Sequence, residues 1–359
     1  MAPVPGAHGA FHPLRVAEVD RLTDDAVAVT LEVPEELGEI YRYTPGQHIA
    51  LRRTADGREI RRTYSLCDPA PLGTAPRTLR VGVRLVEEGE FSTFAHKELA
   101  VGDVLEAMSP AGRFVLHPRP GHFAAVVGGS GITPVLSIAS TLLARQRDAR
   151  FCLIRSDRTA ASTMFLEEVA DLKDRYPDRF QLVTVLSREE QQAGLPSGRL
   201  DEERLTGLLP SLLPVERIDG WFLCGPYGLV QGAERALRGL GVTRGRIHEE
   251  IFHVDAAPVT AAAAGAHEGA TVRATLDGRA GSWPSQGGES VLETVLRNRA
   301  DAPYACKGGV CGTCRSRLVS GEVRMARNFA LEPEEIEAGY VLACQSHPVT
   351  ASVEVDFDA

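Results

Sequence analysis

The chain has 359 residues, 43% hydrophobic and 24% charged, with a formal net charge of −9, room for two or three domains of ordinary globular composition. The charge is spread and shows no basic stripe with interleaved aromatics, which argues against nucleic-acid binding. No apolar run is long enough to span a bilayer, the start Met1-Ala-Pro-Val-Pro-Gly-Ala-His8 lacks a secretory pattern, and seven cysteines fit a reducing compartment; the expectation is a cytoplasmic protein off the membrane.

Residues 10–118 read as short alternating strands: Arg15–Asp20, Ala26–Glu32, His48–Leu51 and Leu79–Arg84, with Asp56-Gly57 as a hairpin turn. Many short strands without helical periodicity predict a small β-barrel. Within it lies Arg61-Arg-Thr-Tyr-Ser-Leu66. In a strand, Arg62 and Tyr64 share one face and Ser65 takes the other. A guanidinium that forks a diphosphate, a phenol that lies against an isoalloxazine and a hydroxyl near N5 suit a flavin nucleotide, the bland alternative being a polar barrel strand. Downstream, Gly89 introduces a turn and Ser92-Thr93 suit the cap of a helix whose free N–H groups can take a phosphate. Pro45-Gly-Gln-His48 reads as a structural turn.

Residues 119–253 change to an α/β pattern. His122 to Pro134 is a buried strand, a glycine-rich turn (Gly129, Gly131) and a helix expected from Val135 to about Arg145. Pro134 stands where a dinucleotide fingerprint has its third glycine, but glycines before a helix N-terminus still let a pyrophosphate approach the backbone. Thr133 is expected near the nicotinamide end. Arg150–Arg158 and Phe180–Leu186 are further strands, with a helix expected from Ser162. Arg155, Ser156 and Arg158 offer donors to a 2′-phosphate and so favour NADPH, while Asp157 suits the ribose 2′-OH of NADH. Gly220 to Gly228 repeats the strand-to-glycine-loop pattern, and Cys224 can face a nicotinamide or be a small buried core residue.

Residues 254–270 are low in complexity and read as a linker. Thr271–Arg279 predicts a hairpin, Ser290–Arg297 a capped helix, Arg315–Val319 a strand and Arg327–Ile336 another helix. Between them, Cys306, Cys311 and Cys314 stand at C-x4-C-x2-C spacing and Cys344 follows at a distance, the plant-type 2Fe-2S pattern. Gly308, Gly309 and Gly312 suit a loop that curls around such a cluster and offers N–H groups to its sulfurs. A four-cysteine zinc site, with two C-x2-C pairs, is the alternative.

Arg62-x-Tyr64-Ser65, Gly129-x-Gly131-x-x-Pro134, Cys224-Gly225-Pro226 and Glu250-x-Phe252, in that order, resemble the ferredoxin–NADP reductase superfamily over residues 10–253. Residues 271–359 resemble plant-type ferredoxins. The resemblance implies a multidomain β + α/β + α+β architecture: a flavin-binding β-barrel (10–118), a Rossmann-like NAD(P)-binding domain (119–253), a linker (254–270) and a β-grasp ferredoxin domain (271–359). It implies FAD at Arg62, Tyr64 and Ser65, a pyridine nucleotide around Thr133 and Cys224, and Phe252 packed near the flavin. The layout is similar to the reductase components of bacterial oxygenases. The implied activity is electron transfer from NADPH or NADH through FAD and 2Fe-2S to an oxygenase; a redox-sensing iron–sulfur protein is the non-enzymatic alternative.

Overall fold

The computed structural model describes residues 10–55, 57–71, 73–189, 197–253, 267, 269–299 and 301–359. Its first unit contains β1 (Phe11–Thr23), β2 (Ala26–Glu32), β3 (His48–Ala55), β4 (Arg58–Ser65), β5 (Thr78–Arg84), α1 (Glu90–Lys97) and β6 (Val104–Met108). The sheet order is β4-β3-β6-β1-β2-β5, antiparallel throughout, and a bridge between Leu66 and Val81 joins the end of β4 to β5 and closes the barrel. Asp56 lies outside the described residues, but Ala55 pairs with Arg58 and Gly57 has φ +71°, the left-handed backbone a two-residue hairpin needs. Every residue of β2 from Ala26 to Leu31 is buried. Val27, Val29 and Leu31 fill the barrel, while Ala26 and Ala28 pack into the core of the next unit, so β2 is a shared wall.

The second unit alternates β7 (Gly121–Gly128), α2 (Ile132–Arg145), β8 (Ala149–Asp157), α3 (Leu166–Arg175), β9 (Phe180–Leu186), α4 (Glu202–Leu212), β10 (Gly220–Pro226), α5 (Tyr227–Gly239) and β11 (Ile247–His253). The parallel order β11-β10-β7-β8-β9 reverses between β7 and β10, and the crevice beyond the carboxyl ends of those two strands is where such sheets bind ligands. Two helix boundaries differ from expectation. The helix expected from Val135 starts at Ile132, with Pro134 in its first turn, where a missing N–H costs nothing. The helix expected from Ser162 starts at Leu166, because Ser162 closes a separate capping-box turn with Thr159 and the chain then passes through Phe165 at φ +55°.

The third unit contains β12 (Thr271–Leu276), β13 (Arg279–Pro284), α6 (Val291–Leu296), β14 (Arg315–Ser320), β15 (Val323–Met325), α7 (Pro333–Glu337), β16 (Tyr340–Leu342), β17 (Ser346–Pro348) and β18 (Ser352–Asp356). Its mixed sheet, β13-β12-β18-β14-β16, pairs β12 parallel to β18, and α6 packs Val291, Leu292 and Val295 into the core as in a β-grasp. Asp277 and Gly278, at φ +51° and +69°, make the tight turn of the first hairpin. The helix expected across Arg327–Ile336 is confined to Pro333–Glu337. Asn328 Oδ1 accepts from the N–H groups of Ala330 (3.3 Å) and Leu331 (2.8 Å), a local alternative to helix that holds the preceding segment open. The expected linker falls mostly on residues 254–266 and 268, outside the described residues. Among the described residues, no helix is long and apolar enough to cross a membrane.

Candidate functional site

The pleat of β4 sorts its side chains as the sequence suggests. Arg62 is exposed, its Nη1 donating to the Arg61 carbonyl at 2.7 Å. Tyr64 packs against Phe91 of α1, ring centroids 5.4 Å apart, and burial holds its phenol well above the usual range. Ser65, on the other face, donates to Glu250 Oε2 at 3.2 Å. Beside this strand an open cleft is lined by Arg53, Arg58 and Ile60 of the β3–β4 hairpin and by Gly89, Glu90 and Thr93. The helix cap differs from expectation: Gly89 is the N-cap, with Ser92 and Thr93 inside the first turn. The Ser92 hydroxyl donates to the Gly89 carbonyl and accepts from Val86 N–H, each at 3.1 Å, so it closes the turn rather than facing a ligand. A Cβ on Gly89 would press on that hydroxyl, which accounts for the glycine.

At the sheet's switch point the two glycine loops interlock. A Cβ on Gly131 would overlap the Cys224 carbonyl, and Gly225, at φ +141°, would place one 2.9 Å from the Gly128 carbonyl oxygen. Gly131 therefore serves close packing of β7 against β10, whereas Gly129, at φ +55°, makes the turn itself. Thr133 is 1% exposed, and its hydroxyl donates to the Ser130 carbonyl at 2.9 Å. Pro226 is the exposed N-cap of α5, and Phe252 packs half-buried against the core beneath.

The arginines of β8 divide. Arg155 is buried, its Nε donating to Asp157 Oδ2 at 2.7 Å and its Nη2 to the Met164 carbonyl at 3.0 Å. It is thereby removed from the donors expected for a 2′-phosphate, because the strand's alternation turns it into the core. Asp157 is buried with it. Arg158 is exposed at the strand's end, beside half-buried Ser156.

Two residues without an expected role complete this centre. Glu250 accepts from Ser65, lies 3.9 Å from the Cys224 sulfur and stands 3.7 Å from Nδ1 of buried His48. Burial, and then the Glu250 charge, pushes the Cys224 thiol well up, so it is a neutral wall rather than a nucleophile. Glu250 stood in a recognised pattern and His48 in a turn read as structural; only the barrel packing on the α/β unit brings them together.

The four cluster cysteines interact electrostatically as two pairs, Cys306 with Cys311 and Cys314 with Cys344. Within the first pair the Cys311 thiol, helped by backbone N–H groups, draws Cys306 below the usual thiol range, despite burial. Gly308 N–H points at Cys306 Sγ (3.3 Å), Thr313 N–H at Cys311 Sγ (3.5 Å), Cys344 N–H at Cys314 Sγ (3.5 Å) and Gln345 Nε2 at Cys344 Sγ (3.5 Å). Gly309 and Gly312 use left-handed backbone, φ +78° and +68°, as does Lys307 at +51°. Gly308 does not, and contributes its N–H alone. Among the described residues, no three His, Cys, Asp or Glu side chains are grouped for a single ion. Two thiol pairs ringed by N–H donors fit two irons taking two thiolates each.

This loop is seated on the other units. Ala305 and Cys311 share a small apolar cluster with Phe11, Ala50 and Met108 of the barrel. Arg113 donates to the Ala330 carbonyl at 2.7 Å and pairs with Glu335, and Arg244 pairs with Glu332 at 2.9 Å. Tyr227 meets Phe329 edge-on at 5.6 Å. From Ala302 to Ser316, Lys307 alone is exposed.

A closed antiparallel barrel, a switch-point α/β sheet and a β-grasp sheet carrying four paired thiols define a class, and the chain belongs to it: the ferredoxin–NADP reductase superfamily, in the form that ends in a plant-type 2Fe-2S domain. Family models match as an oxidoreductase FAD-binding domain (13–116), an oxidoreductase NAD-binding domain (126–235) and a 2Fe-2S iron-sulfur cluster binding domain (274–349). The chain is an NAD(P)H-dependent oxidoreductase of the kind that passes electrons to oxygenases. It is 42% identical to one of the subunits of 1,2-phenylacetyl-CoA epoxidase from Escherichia coli (strain K12), over 97% of this chain and 98% of that one. It is 33% identical to the ferredoxin reductase component of 3-ketosteroid-9-alpha-monooxygenase of Rhodococcus rhodochrous, over 96% of each. Phthalate dioxygenase reductase, a modular structure for electron transfer from pyridine nucleotides to 2Fe-2S, superposes with a TM-score of 0.61 at 24% identity, over 97% of this chain and 98% of that one.

Proposed function

We infer that this chain is the cytoplasmic reductase of a phenylacetyl-CoA epoxidase, drawing electrons from NADPH in preference to NADH. The observation that carries the electron route is the double use of β4, which bears Arg62, Tyr64 and Ser65 while the cluster loop is seated on the barrel beside it. Bound FAD supplies the conversion of a hydride's two electrons into single ones, and 2Fe-2S the one-electron outlet. The chain's part is placement. Arg62 would hold the diphosphate of FAD and Tyr64 its isoalloxazine, and Ser65, held by Glu250, would offer its hydroxyl to the ring. Gly89 and Thr93 border the nucleotide end of the flavin. Gly129, Gly131, Thr133, Cys224, Gly225, Pro226 and Phe252 form the crevice that receives the nicotinamide, and Cys306, Cys311, Cys314 and Cys344 hold the irons.

The NADPH reading is supported by exposed Arg158 beside Ser156, and by the engagement of Asp157 with Arg155, which leaves it poorly placed for a ribose 2′-OH. The epoxidase reading rests on the 42% identity; a 3-ketosteroid 9α-hydroxylase is the second reading, on 33%. An anaerobic titration of the purified protein with NADPH, and with NADH in parallel, followed by visible spectroscopy, tests the route. Flavin bleaching followed by loss of cluster absorbance is expected, with NADPH effective at the lower concentration. A reconstituted protein without flavin or cluster bands would defeat it. Turnover with purified epoxidase against ketosteroid hydroxylase separates the two partners.

A further inference from the structure

Arg61 precedes Arg62 on β4 and so faces the opposite way. Its side chain is 4% exposed, with Nε 2.5 Å from Glu59 Oε1. Its guanidinium lies 4.1 Å from the Tyr304 ring centroid and 4.9 Å from that of Phe11. The Tyr304 hydroxyl donates to the same Glu59 oxygen at 2.9 Å, and Lys307 Nζ sits 4.8 Å from the Tyr304 ring. Tyr304 stands two residues before Cys306, and Ala305 between them is pressed into the barrel's apolar cluster. One arginine thus joins the strand that carries the flavin contacts to the loop that carries the cluster.

We propose that Arg61 is the positioning residue for electron transfer between flavin and cluster: it seats the cluster loop on β4 through Tyr304, and by offsetting the Glu59 carboxylate beside that loop it keeps the cluster's reduction potential from falling. In this step one electron leaves the reduced flavin and enters the oxidised cluster, and no bond or proton moves with it. Electron tunnelling falls steeply with distance, so a loop held on the barrel by a stacked guanidinium transfers faster than one that lifts away. The reduced cluster bears one more negative charge, and loss of the guanidinium leaves the Glu59 carboxylate unbalanced beside the loop, which disfavours that state. Arginine suits both tasks, being planar for stacking and charged at every working pH.

The inference rests on the nucleotide-to-cluster route proposed above, and its test separates the two. Arg61→Gln, Arg61→Lys and Tyr304→Leu are prepared in the full-length protein with both cofactors. Spectroelectrochemical titration reads the cluster potential, hydrogen exchange reads protection of residues 303–307, and anaerobic stopped flow reads flavin bleaching separately from cluster reduction. Arg61→Gln is expected to lower the potential, loosen 303–307 and slow cluster reduction about tenfold, with flavin bleaching at the wild-type rate. Arg61→Lys is expected to keep the potential and lose part of the protection. Tyr304→Leu, which changes no residue of the barrel itself, is expected to lose protection and slow cluster reduction, and carries the test if Arg61→Gln does not fold. Wild-type potential or wild-type protection in Arg61→Gln, or in its place wild-type protection and cluster reduction in Tyr304→Leu, overturns the proposal. Failure of the wild-type flavin to bleach with either nucleotide overturns the route itself, whatever the exchange data show.

Discussion

Two arginines three positions apart, on β8 and at its end, have opposite environments. Arg155 is buried against Asp157, and truncating it leaves a carboxylate in the core without its partner. Arg155→Ala is therefore expected to lower the unfolding free energy by about 3–5 kcal/mol and to weaken both nucleotides alike. Arg158 is exposed and free to meet a 2′-phosphate. Arg158→Ala is expected to keep stability within about 0.5 kcal/mol while raising KM for NADPH about tenfold and leaving KM for NADH unchanged. Denaturant unfolding and steady-state kinetics with both nucleotides check the pair. Equal effects of the two variants on stability would refute the division.

At the scale of elements, the two glycine loops interlock as a joint between β7 and β10. Gly131 is needed because β10's backbone passes where its Cβ would be. Gly131→Ala is expected to cost about 1–3 kcal/mol by overpacking and to weaken nucleotide binding, because the crevice walls must part. A thermal scan and a nucleotide titration measure the two effects, and unchanged values in both would show that the loops can slide. Local patterns were legible in the sequence: the cysteine spacing, the Ser290 capping box, the Asp277-Gly278 turn and the face of β4 that bears Arg62 and Tyr64 are each set within a few residues. What could not be read locally needed the packed neighbour. Arg155 is lost to the core only because β8 lies inside a covered sheet, and Glu250 and His48 meet only across two units. The helix expected from Arg327 begins only at Pro333, because the Asn328 side chain competes for the backbone groups before it.

Across the whole molecule, Arg244 joins the nucleotide unit to the ferredoxin unit. It lies 3.3 Å from Glu249 and 2.9 Å from Glu332. Burial pushes the Glu249 carboxyl up to about 7, against the opposing pull of Arg244. A carboxyl raised on folding takes up a proton between its ordinary 4.5 and about 7, so its contribution to stability falls as pH rises through that window and stays lost above it. Glu249→Gln is expected to raise the melting temperature relative to wild type at pH 8, with the gap shrinking as the pH is lowered toward 5. An equal gap at both pH values would show that the Glu249 charge is not what matters.

The seating of the cluster loop on the barrel has a consequence for electron loss. A reduced iron–sulfur centre gives electrons to any oxidant that collides with it, dioxygen included, and each such loss is fuel burned without product. From Ala302 to Ser316 only Lys307 is fully exposed, while Cys306 and Cys311 are half-buried. On the proposed route, the seating that holds the loop against the barrel also leaves fewer directions from which a stray oxidant can reach it.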